Sequence, residues 1–240
     1  MHAILTYHSI DAARSPLAFS EAELRRHLYW LASGKVQTVP LEWLPRVPAE
    51  RAALSLTFDD GYADFAELAW PVFRHNDLPV TLFVVSARAG GTSDWGGGTP
   101  VRPLLTWDAL KKLVDKGLLL GSHSRTHRDL TALSDTELQD EVAGSADEIE
   151  KHTGARPKVF SHPFGKSDER VRQLVAQHYQ LAVGQRLAAI GPQEPQFDLP
   201  RLDVHHFRDP KPFSAWGGAA FRRAIAWQGF RRRFSSLPLS

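Results

Sequence analysis

The sequence predicts an α/β fold built on a parallel β-sheet, as either a barrel or a doubly wound sheet. Short apolar segments recur along the chain, and helical patterns lie between most of them. Such alternation favours right-handed βαβ units, in which neighbouring strands run parallel. The chain has 240 residues, of which 42% are hydrophobic, so one domain of this class can bury a sizeable core.

Seven short segments are mostly apolar and end at polar or turn residues, which is typical of buried strands. These predicted strands are Ala3–Tyr7, Ala53–Phe58, Val80–Val85, Leu118–Gly121, Lys158–Ser161, Leu181–Val183 and Leu199–Val204. Apolar spacing and capping patterns predict helices between them. The predicted helices are Ser20–Ala32, Tyr62–His75, Trp107–Lys116, Ser134–His152, Asp168–His178 and Phe213–Phe230.

Particular residues support these elements. Leu24 and Leu28 fall on one face of the first helix, and Ser134 with Glu137 forms a capping box that opens the fourth. The glycine-rich stretch Arg88–Pro100 is predicted to be a long loop, and long loops in compact domains are often functional.

The composition excludes several kinds of site. The chain has no cysteine, so disulfides, thiolate nucleophiles and cysteine-ligated zinc are ruled out. A transition metal would have to be held by histidine and carboxylate side chains. No apolar run approaches the roughly 18 residues that a membrane-spanning helix needs, and the first residues are typical of a strand rather than of an export signal. We therefore expect a cytoplasmic protein.

The end of the chain is strongly basic. From His206 onward Asp209 is the one acidic residue. The basic residues of this stretch are Arg208, Lys211, Arg222, Arg223, Arg231, Arg232 and Arg233. One interpretation is a solvated final helix with basic ends, and the other is a segment that lies on an anionic membrane at its inner face. Nucleic-acid binding is not expected.

Polar clusters follow four of the predicted strands. They are Tyr7-His8-Ser9, Asp59-Asp60-Gly61-Tyr62, His123-Ser124-Arg125-Thr126-His127 and Ser161-His162-Pro163-Phe164-Gly165. Each has an ordinary explanation on its own: the acid pair could cap a helix, and histidine pairs are common on solvated loops. Together they should meet at one rim, because ligands gather at the carboxyl ends of parallel strands. One carboxylate and two imidazoles are typical of a catalytic zinc-type site, and a second carboxylate remains as a base for metal-assisted hydrolysis.

Two of these motifs resemble those of a known family. Thr57–Tyr62 and His123–His127 are similar to the leading motifs of the NodB-type polysaccharide deacetylases, carbohydrate esterase family 4. Leu5–Ser9 and Pro163–Gly165 resemble the circularly permuted branch, which includes deacetylases of poly-N-acetylglucosamine. The resemblance covers roughly residues 1–205 and implies a single-domain, distorted (β/α)7 barrel. We therefore predict a deacetylase domain over residues 1–208 and a basic C-terminal helix and tail over 209–240.

The resemblance also implies the metal site. Asp60, His123 and His127 would bind a divalent metal. Zinc is the default for two histidines and one carboxylate, and cobalt, nickel or iron would also fit. The substrate would be an N-acetylated amino sugar in a polysaccharide or a lipid-linked glycan.

The remaining catalytic roles follow from the same resemblance. Asp59 would be the general base, His8 the general acid, and the backbone N–H of Phe164 would help to hold the oxyanion. His205 and His206 lie near the place of a late family motif, so either is an alternative acid.

The third family motif departs from its usual form. It often begins with an arginine that orients the base, and here Ser161 or His162 stands at that place. Arg201, on another predicted strand, is a candidate to supply the charge.

Two other functions are open at this point. One is deformylation, or hydrolysis of another C–N amide on a sugar. The other is a catalytically silent glycan-binding protein on the same fold, which should have lost the base or a metal ligand. Asp59, Asp60, His123 and His127 are all present, which favours an enzyme.

Overall fold

Seven parallel strands form a closed barrel in the computed structural model, which describes residues 1–11, 17–95 and 100–234. The strands are β1 (His2–Tyr7), β2 (Ala53–Phe58), β3 (Val80–Val84), β4 (Leu119–Ser122), β5 (Val159–Ser161), β6 (Leu181–Leu187) and β7 (Leu199–Asp203). Each strand pairs with the next, and β7 pairs with β1 to close the ring. The predicted (β/α)7 barrel is therefore confirmed.

Helices cover the outside of the barrel. They are α1 (Glu21–Leu31), α2 (Trp70–His75), α3 (Trp107–Val114), α4 (Asp135–Gln139), α5 (Ser145–Thr153), α6 (Glu169–His178) and α7 (Ala219–Phe234). Two of the predicted helices contain a π-helical turn, over Phe65–Ala69 and Asp140–Gly144. The first of these turns leads into Pro71, which has no N–H to donate to the preceding turn.

Both predicted bounds of the last helix, Phe213–Phe230, are wrong, because α7 spans Ala219–Phe234. Lys211–Ala215 forms a short 3₁₀ helix, and α7 begins only at Ala219. Gly217 lies between them with φ +74°, a left-handed conformation that glycine adopts without steric cost and that ends a helical path.

The described part of the C-terminal segment packs onto the barrel domain. Phe213 and Phe221 are buried, and their rings lie 5.6 Å and 6.1 Å from that of Phe207. Burial of two aromatic side chains fixes the start of α7 against the domain. In the described ranges no helix is both long and apolar enough to cross a membrane.

The topology determines where chemistry can occur. Strands β1 and β2 are almost wholly buried, so their polar side chains must find partners inside the protein. Because all seven strands are parallel, their carboxyl ends meet at one rim. The segments that follow β1, β2, β4 and β5 carry the polar clusters to that rim.

Candidate active site

Three side chains converge at the rim. Asp60, His123 and His127 each offer a ligand atom, and these atoms lie within 4.8 Å of one another. Oδ1 of Asp60 is 3.5 Å from Nε2 of His123 and 3.6 Å from Nε2 of His127. The structure thus brings the predicted metal ligands together in one buried cluster.

The backbone around these ligands is constrained. Asp60 has φ +73° and Gly61 has φ +77°, so the chain reverses immediately after β2. Ser124 and His127 also have positive φ, and the Ser124 hydroxyl accepts a hydrogen bond from the His127 N–H at 3.0 Å. Positive φ is uncommon for residues other than glycine and is held only where surrounding contacts require it. Three of these four positions are not glycine.

Each histidine ring is oriented by its neighbours. Nδ1 of His123 donates to the carbonyl oxygen of Ser161 at 2.8 Å, which leaves Nε2 as the acceptor that faces Asp60. The His127 ring stacks on Trp95, with centroids 4.5 Å apart, and meets the edge of Phe164 at 4.6 Å. The His127 ring is therefore held by packing rather than by a hydrogen bond.

Four buried polar atoms in the cluster lack a hydrogen-bond partner. They are both carboxylate oxygens of Asp60 and both ring nitrogens of His127. Burial raises the pKa of Asp60, although His123 opposes this, and burial together with His123 lowers the pKa of His127 well below its usual range. A cation coordinated by a carboxylate oxygen of Asp60 and by one ring nitrogen of His127 would satisfy those atoms and favour the ligating forms of both groups. The donor set fits a divalent metal.

The adjacent carboxylate has a different environment. Arg201 donates to Oδ1 and Oδ2 of Asp59 at 2.7 Å and 2.6 Å, as a bidentate pair. The other N–H groups of Arg201 donate to the Gly184 carbonyl, the Thr6 hydroxyl and the Ser161 hydroxyl. Every N–H group of the guanidinium is thus hydrogen-bonded, and Arg201 is only 1% exposed.

The charge of Arg201 determines the ionisation of Asp59. Burial alone would raise the pKa of Asp59, but the charge and hydrogen bonds of Arg201, together with the nearby His123 and His8, more than offset burial and hold that pKa well below its usual range. Arg201 from β7 therefore supplies the charge that Ser161 and His162 do not. Ser161 contributes its hydroxyl, 3.5 Å from Oδ2 of Asp59, and His162 bonds the Phe197 carbonyl instead.

His8 lies at the site, whereas His205 does not contact it. Nε2 of His8 is 3.9 Å from Oδ2 of Asp59 and the side chain is buried. His205 accepts a hydrogen bond from Arg208 at 2.8 Å, and its ring meets that of His206 edge to face. The geometry favours His8 over either alternative acid. Phe164, the predicted oxyanion residue, has φ +57° in the short 3₁₀ turn Pro163–Gly165 that follows β5.

Sequence reasoning missed two residues that shape the site. Glu141 is buried and accepts hydrogen bonds from the backbone N–H groups of Arg125 and Thr126, between the two histidine ligands. It also accepts from the Thr126 hydroxyl. Nothing in the sequence distinguishes Glu141 from the other helix acids near it. Trp95 belongs to the loop that was predicted to be functional, but its stacking on His127 has no sequence signal.

A cavity of about 430 Å³ opens beside the cluster. Its walls include Trp95, His127, Arg128 and Phe164, so it combines aromatic faces with polar groups. A larger cavity of about 660 Å³ is lined by Met1, His2 and other residues far from the polar rim. The smaller cavity is the one that a substrate could use to approach the cluster, because His127 forms part of its wall.

Comparison with known proteins identifies related sequences. A family model described as polysaccharide deacetylase matches residues 46–182. The Bacillus subtilis protein YxkH, named provisionally as a polysaccharide deacetylase, is 26% identical over 220 residues, which are 89% of this chain and 75% of YxkH. A chitin deacetylase of Arthroderma benhamiae is 26% identical over 141 residues, and the match covers 58% of this chain but only 35% of that protein.

Solved structures share the fold. A polysaccharide deacetylase from Bacillus cereus superposes with a TM-score of 0.76 at 22% identity, over 93% of this chain and 68% of that one. IcaB from Ammonifex degensii gives a TM-score of 0.71 at 20% identity, over 95% of this chain and 97% of that one. At these identities the superpositions establish the barrel architecture.

Proposed function

This chain belongs to the polysaccharide deacetylase family, and on that premise we propose that Asp60, His123 and His127 hold the divalent metal of an N-deacetylase active site. The family predicted from the sequence is confirmed, and the chain is a hydrolase that removes N-acetyl groups from a glycan. The observation that carries the site assignment is that one buried ligand atom from each of the three residues lies within 4.8 Å of the others, while the Asp60 carboxylate and the His127 ring have no hydrogen-bond partner.

The metal, when bound, supplies a Lewis acid that makes water more acidic and polarises the acetamide carbonyl. Asp59 accepts the proton of the attacking water. Its ion pair with Arg201 keeps it ionised across the physiological pH range and fixes the direction of its oxygens. The same pair makes Asp59 a weak base, so proton transfer to it needs an acidified water.

His8 is placed to complete the reaction. As C–N cleavage proceeds, the His8 imidazolium donates its proton to the amine nitrogen, which is a very poor leaving group without it. Nε2 of His8 lies 3.9 Å from the Asp59 carboxylate, so acid and base face the same substrate bond. The backbone N–H of Phe164, a residue that lines the cavity beside the cluster, is proposed to stabilise the oxyanion.

Two matched variants test the assignment, because Asp59→Asn and Asp60→Asn are the same chemical change at neighbouring positions. Asp59→Asn should retain metal at wild-type stoichiometry and lose acetate release by on the order of a thousandfold or more. Asp60→Asn should lose metal and activity together. Metal analysis and acetate release from N-acetylglucosamine oligosaccharides measure both. Metal retained by Asp60→Asn would contradict the ligand set.

The identity of the metal is part of the proposal. One carboxylate and two imidazoles suit zinc first, and cobalt, nickel and iron next. Removal of metal from the protein and reconstitution with each ion separately should rank them by acetate release.

The substrate is proposed to be an amino sugar of a polysaccharide or a lipid-linked glycan. The alternative of deformylation is tested by supplying N-formyl and N-acetyl forms of one oligosaccharide and measuring formate and acetate. A silent glycan-binding role is disfavoured because the base and all three ligands are present and converge.

Helix α7 supports a second proposal, that the protein associates with an anionic membrane surface. Trp227 and Phe230 are 60% and 56% exposed and stack on each other. Arg222, Arg223 and Arg231 are exposed on the same helix. Exposed aromatic rings beside arginines suit the boundary between lipid headgroups and acyl chains.

Vesicle flotation tests the membrane proposal. Binding should be stronger to vesicles that contain phosphatidylglycerol than to pure phosphatidylcholine, and Arg222→Glu with Arg223→Glu should abolish the difference. Tyr29→Ala removes another exposed aromatic ring, on α1, and serves as the control. Equal binding to both kinds of vesicle would contradict the proposal.

A further inference from the structure

We infer that Asp64 is a positioning residue for His8 and so links the general acid to the loop that carries the general base. The inference rests on the proposed function, in which His8 protonates the leaving amine. Asp64 lies four residues after Asp60, immediately before the π-helical turn that leads into α2.

The Asp64 carboxylate hydrogen-bonds to the two residues that follow His8. Oδ2 accepts a hydrogen bond from the Ser9 hydroxyl, and Oδ1 accepts one from the Ile10 N–H at 3.1 Å. Ser9 is fully buried and Asp64 is partly buried, so water competes poorly for these bonds. The two residues that follow His8 are therefore tied to the loop after β2.

The opposite side of the same segment is also fixed. Ser9–Ile10 pairs as a short parallel strand with Ala18–Phe19, and the Ser9 N–H donates to the Leu17 carbonyl at 3.0 Å. With Asp64 on one side and this strand on the other, the backbone at Ser9 has little freedom. His8 is the residue immediately before this constrained segment, Ser9–Ile10.

Arg102 adds a charge interaction close to these hydrogen bonds. It forms an ion pair with Asp11. Burial raises the pKa of Asp64, and the hydrogen bonds from Ser9 and Ile10 and the charge of Arg102 oppose that rise. The loop that carries Asp64 is itself held by the stretch Pro103–Leu105, which hydrogen-bonds to Gly61 and Ala63.

Positioning matters here because the acid must meet the nitrogen during bond cleavage. The backbone of β1 holds one end of His8, and the Asp59 N–H donates the last hydrogen bond between β1 and the segment after β2 to the Tyr7 carbonyl at 3.0 Å. Asp64 holds the other end. Base and acid therefore depend on one loop, residues 59–64, for their spacing.

A pair of substrates separates positioning of the acid from general damage. Acetamide hydrolysis needs a proton on the leaving nitrogen, whereas 4-nitrophenyl acetate releases a phenolate that needs none. Asp64→Ala should lower kcat on an N-acetylglucosamine oligosaccharide about 10- to 100-fold. It should change kcat on the aryl ester by no more than about threefold, because Asp59 and the metal ligands are untouched.

Further variants test the same contact. Ser9→Ala removes one of the two bonds and should show the same selective loss at a smaller size. Asp64→Asn can accept from the Ile10 N–H and donate to the Ser9 hydroxyl, so it should restore most of the activity. Glu67→Ala, an exposed acid three residues on, is the matched control and should behave as wild type. Melting temperature and metal content are measured for every variant.

The outcomes are distinct because His8→Ala is assayed beside them. Selective loss on the acetamide in His8→Ala and Asp64→Ala supports the inference. Selective loss in His8→Ala alone, or equal loss on both substrates in Asp64→Ala and Ser9→Ala, overturns it while leaving the proposed function intact. Equal loss on both substrates in His8→Ala overturns the acid role of His8 and the inference with it.

Discussion

Asp59 and Asp60 are neighbours in the chain, and both are buried, but their surroundings differ in kind. Every oxygen of Asp59 is paired, chiefly with Arg201, and its pKa lies below the usual range. Asp60 faces His123 and His127 with no partner for either oxygen, and burial raises its pKa. The protein itself supplies all the partners of the Asp59 carboxylate, but it leaves the oxygens of Asp60 without a hydrogen-bond partner.

The difference separates two uses of a buried charge. A fully hydrogen-bonded ion pair holds its members in one geometry, which suits a base that must point at a substrate. A cluster with unpaired ligand atoms is costly for the protein alone, and it becomes favourable only when a cation binds. Adjacent side chains point in different directions, so one β-strand end provides both.

The largest expected effect comes from removing Arg201. Arg201→Met would leave Asp59 as an uncompensated buried charge, which typically costs about 3–5 kcal/mol of unfolding free energy, and activity would be lost. Urea denaturation of the metal-free protein measures the change. The double variant Asp59→Asn with Arg201→Met should recover much of that stability because no charge remains buried. If the unfolding free energy of Arg201→Met lies within about 1 kcal/mol of the wild-type value, the role assigned to the ion pair is contradicted.

The next effect extends the comparison to two histidines. His27 is fully buried like His127, but its ring nitrogens contact the Tyr7 hydroxyl and the Phe207 carbonyl. Burial lowers the pKa of His27 to about 4 from 6.5. Because the unfolded chain takes up the proton first, stability is full above pH 6.5 and falls as the pH drops toward 4, by up to roughly 3 kcal/mol.

Urea denaturation across this pH range measures that loss. The His27→Gln variant has no proton to take up there, so its stability should depend less steeply on pH than that of wild type. Identical slopes in the two proteins would show that His27 does not titrate as proposed.

A somewhat smaller effect distinguishes the unpaired cluster. Metal at a hundredfold excess over its Kd should stabilise the protein by about 2.7 kcal/mol. For a chain of this length that corresponds to a melting temperature roughly 5–10 °C higher than after chelation. Asp60→Asn should melt at the same temperature with and without chelator. A chelator effect of equal size in this variant would place the stabilising metal elsewhere.

The smallest effect concerns an ion pair at the surface. Arg156 contacts Asp147 at 2.9 Å and Glu150 at 2.6 Å, distances similar to those of Arg201, but its side chain is 42% exposed. Arg156→Ala should change the unfolding free energy by less than about 1 kcal/mol, because water screens exposed charges. Urea denaturation beside Arg201→Met compares the two arginines directly, and similar losses would mean that burial is not what makes Arg201 important.

Much of the barrel was predictable because buried parallel strands are nearly continuous apolar segments. Ala53–Phe58 matches its predicted bounds, and the other strands differ by a few residues at most. The 3₁₀ helix at Lys211–Ala215 was not predicted, since the apolar spacing there resembles that of a helix and the break depends on Gly217.

The site was predictable where side chains follow strands directly. Asp60, His123 and His127 stand at strand ends, so parallel topology alone places them on one rim. The contacts of Arg201 and Glu141 depend on tertiary geometry between distant segments. Arg201 was a candidate from its place on the last predicted strand, whereas nothing drew attention to Glu141.

Closure of the barrel has a consequence for how the chain reaches its native state. Strand β1 pairs with β2 on one side and with β7 on the other. Leu5 of the first strand is therefore paired with Leu202 of the last, although nearly all of the barrel's sequence lies between them. Until β7 has been synthesised, one edge of β1 has no partner, and such edges recruit other chains into aggregates. Contacts this distant in sequence also slow folding. We therefore expect refolding yield to depend strongly on protein concentration, and truncation before Leu199 to give insoluble protein.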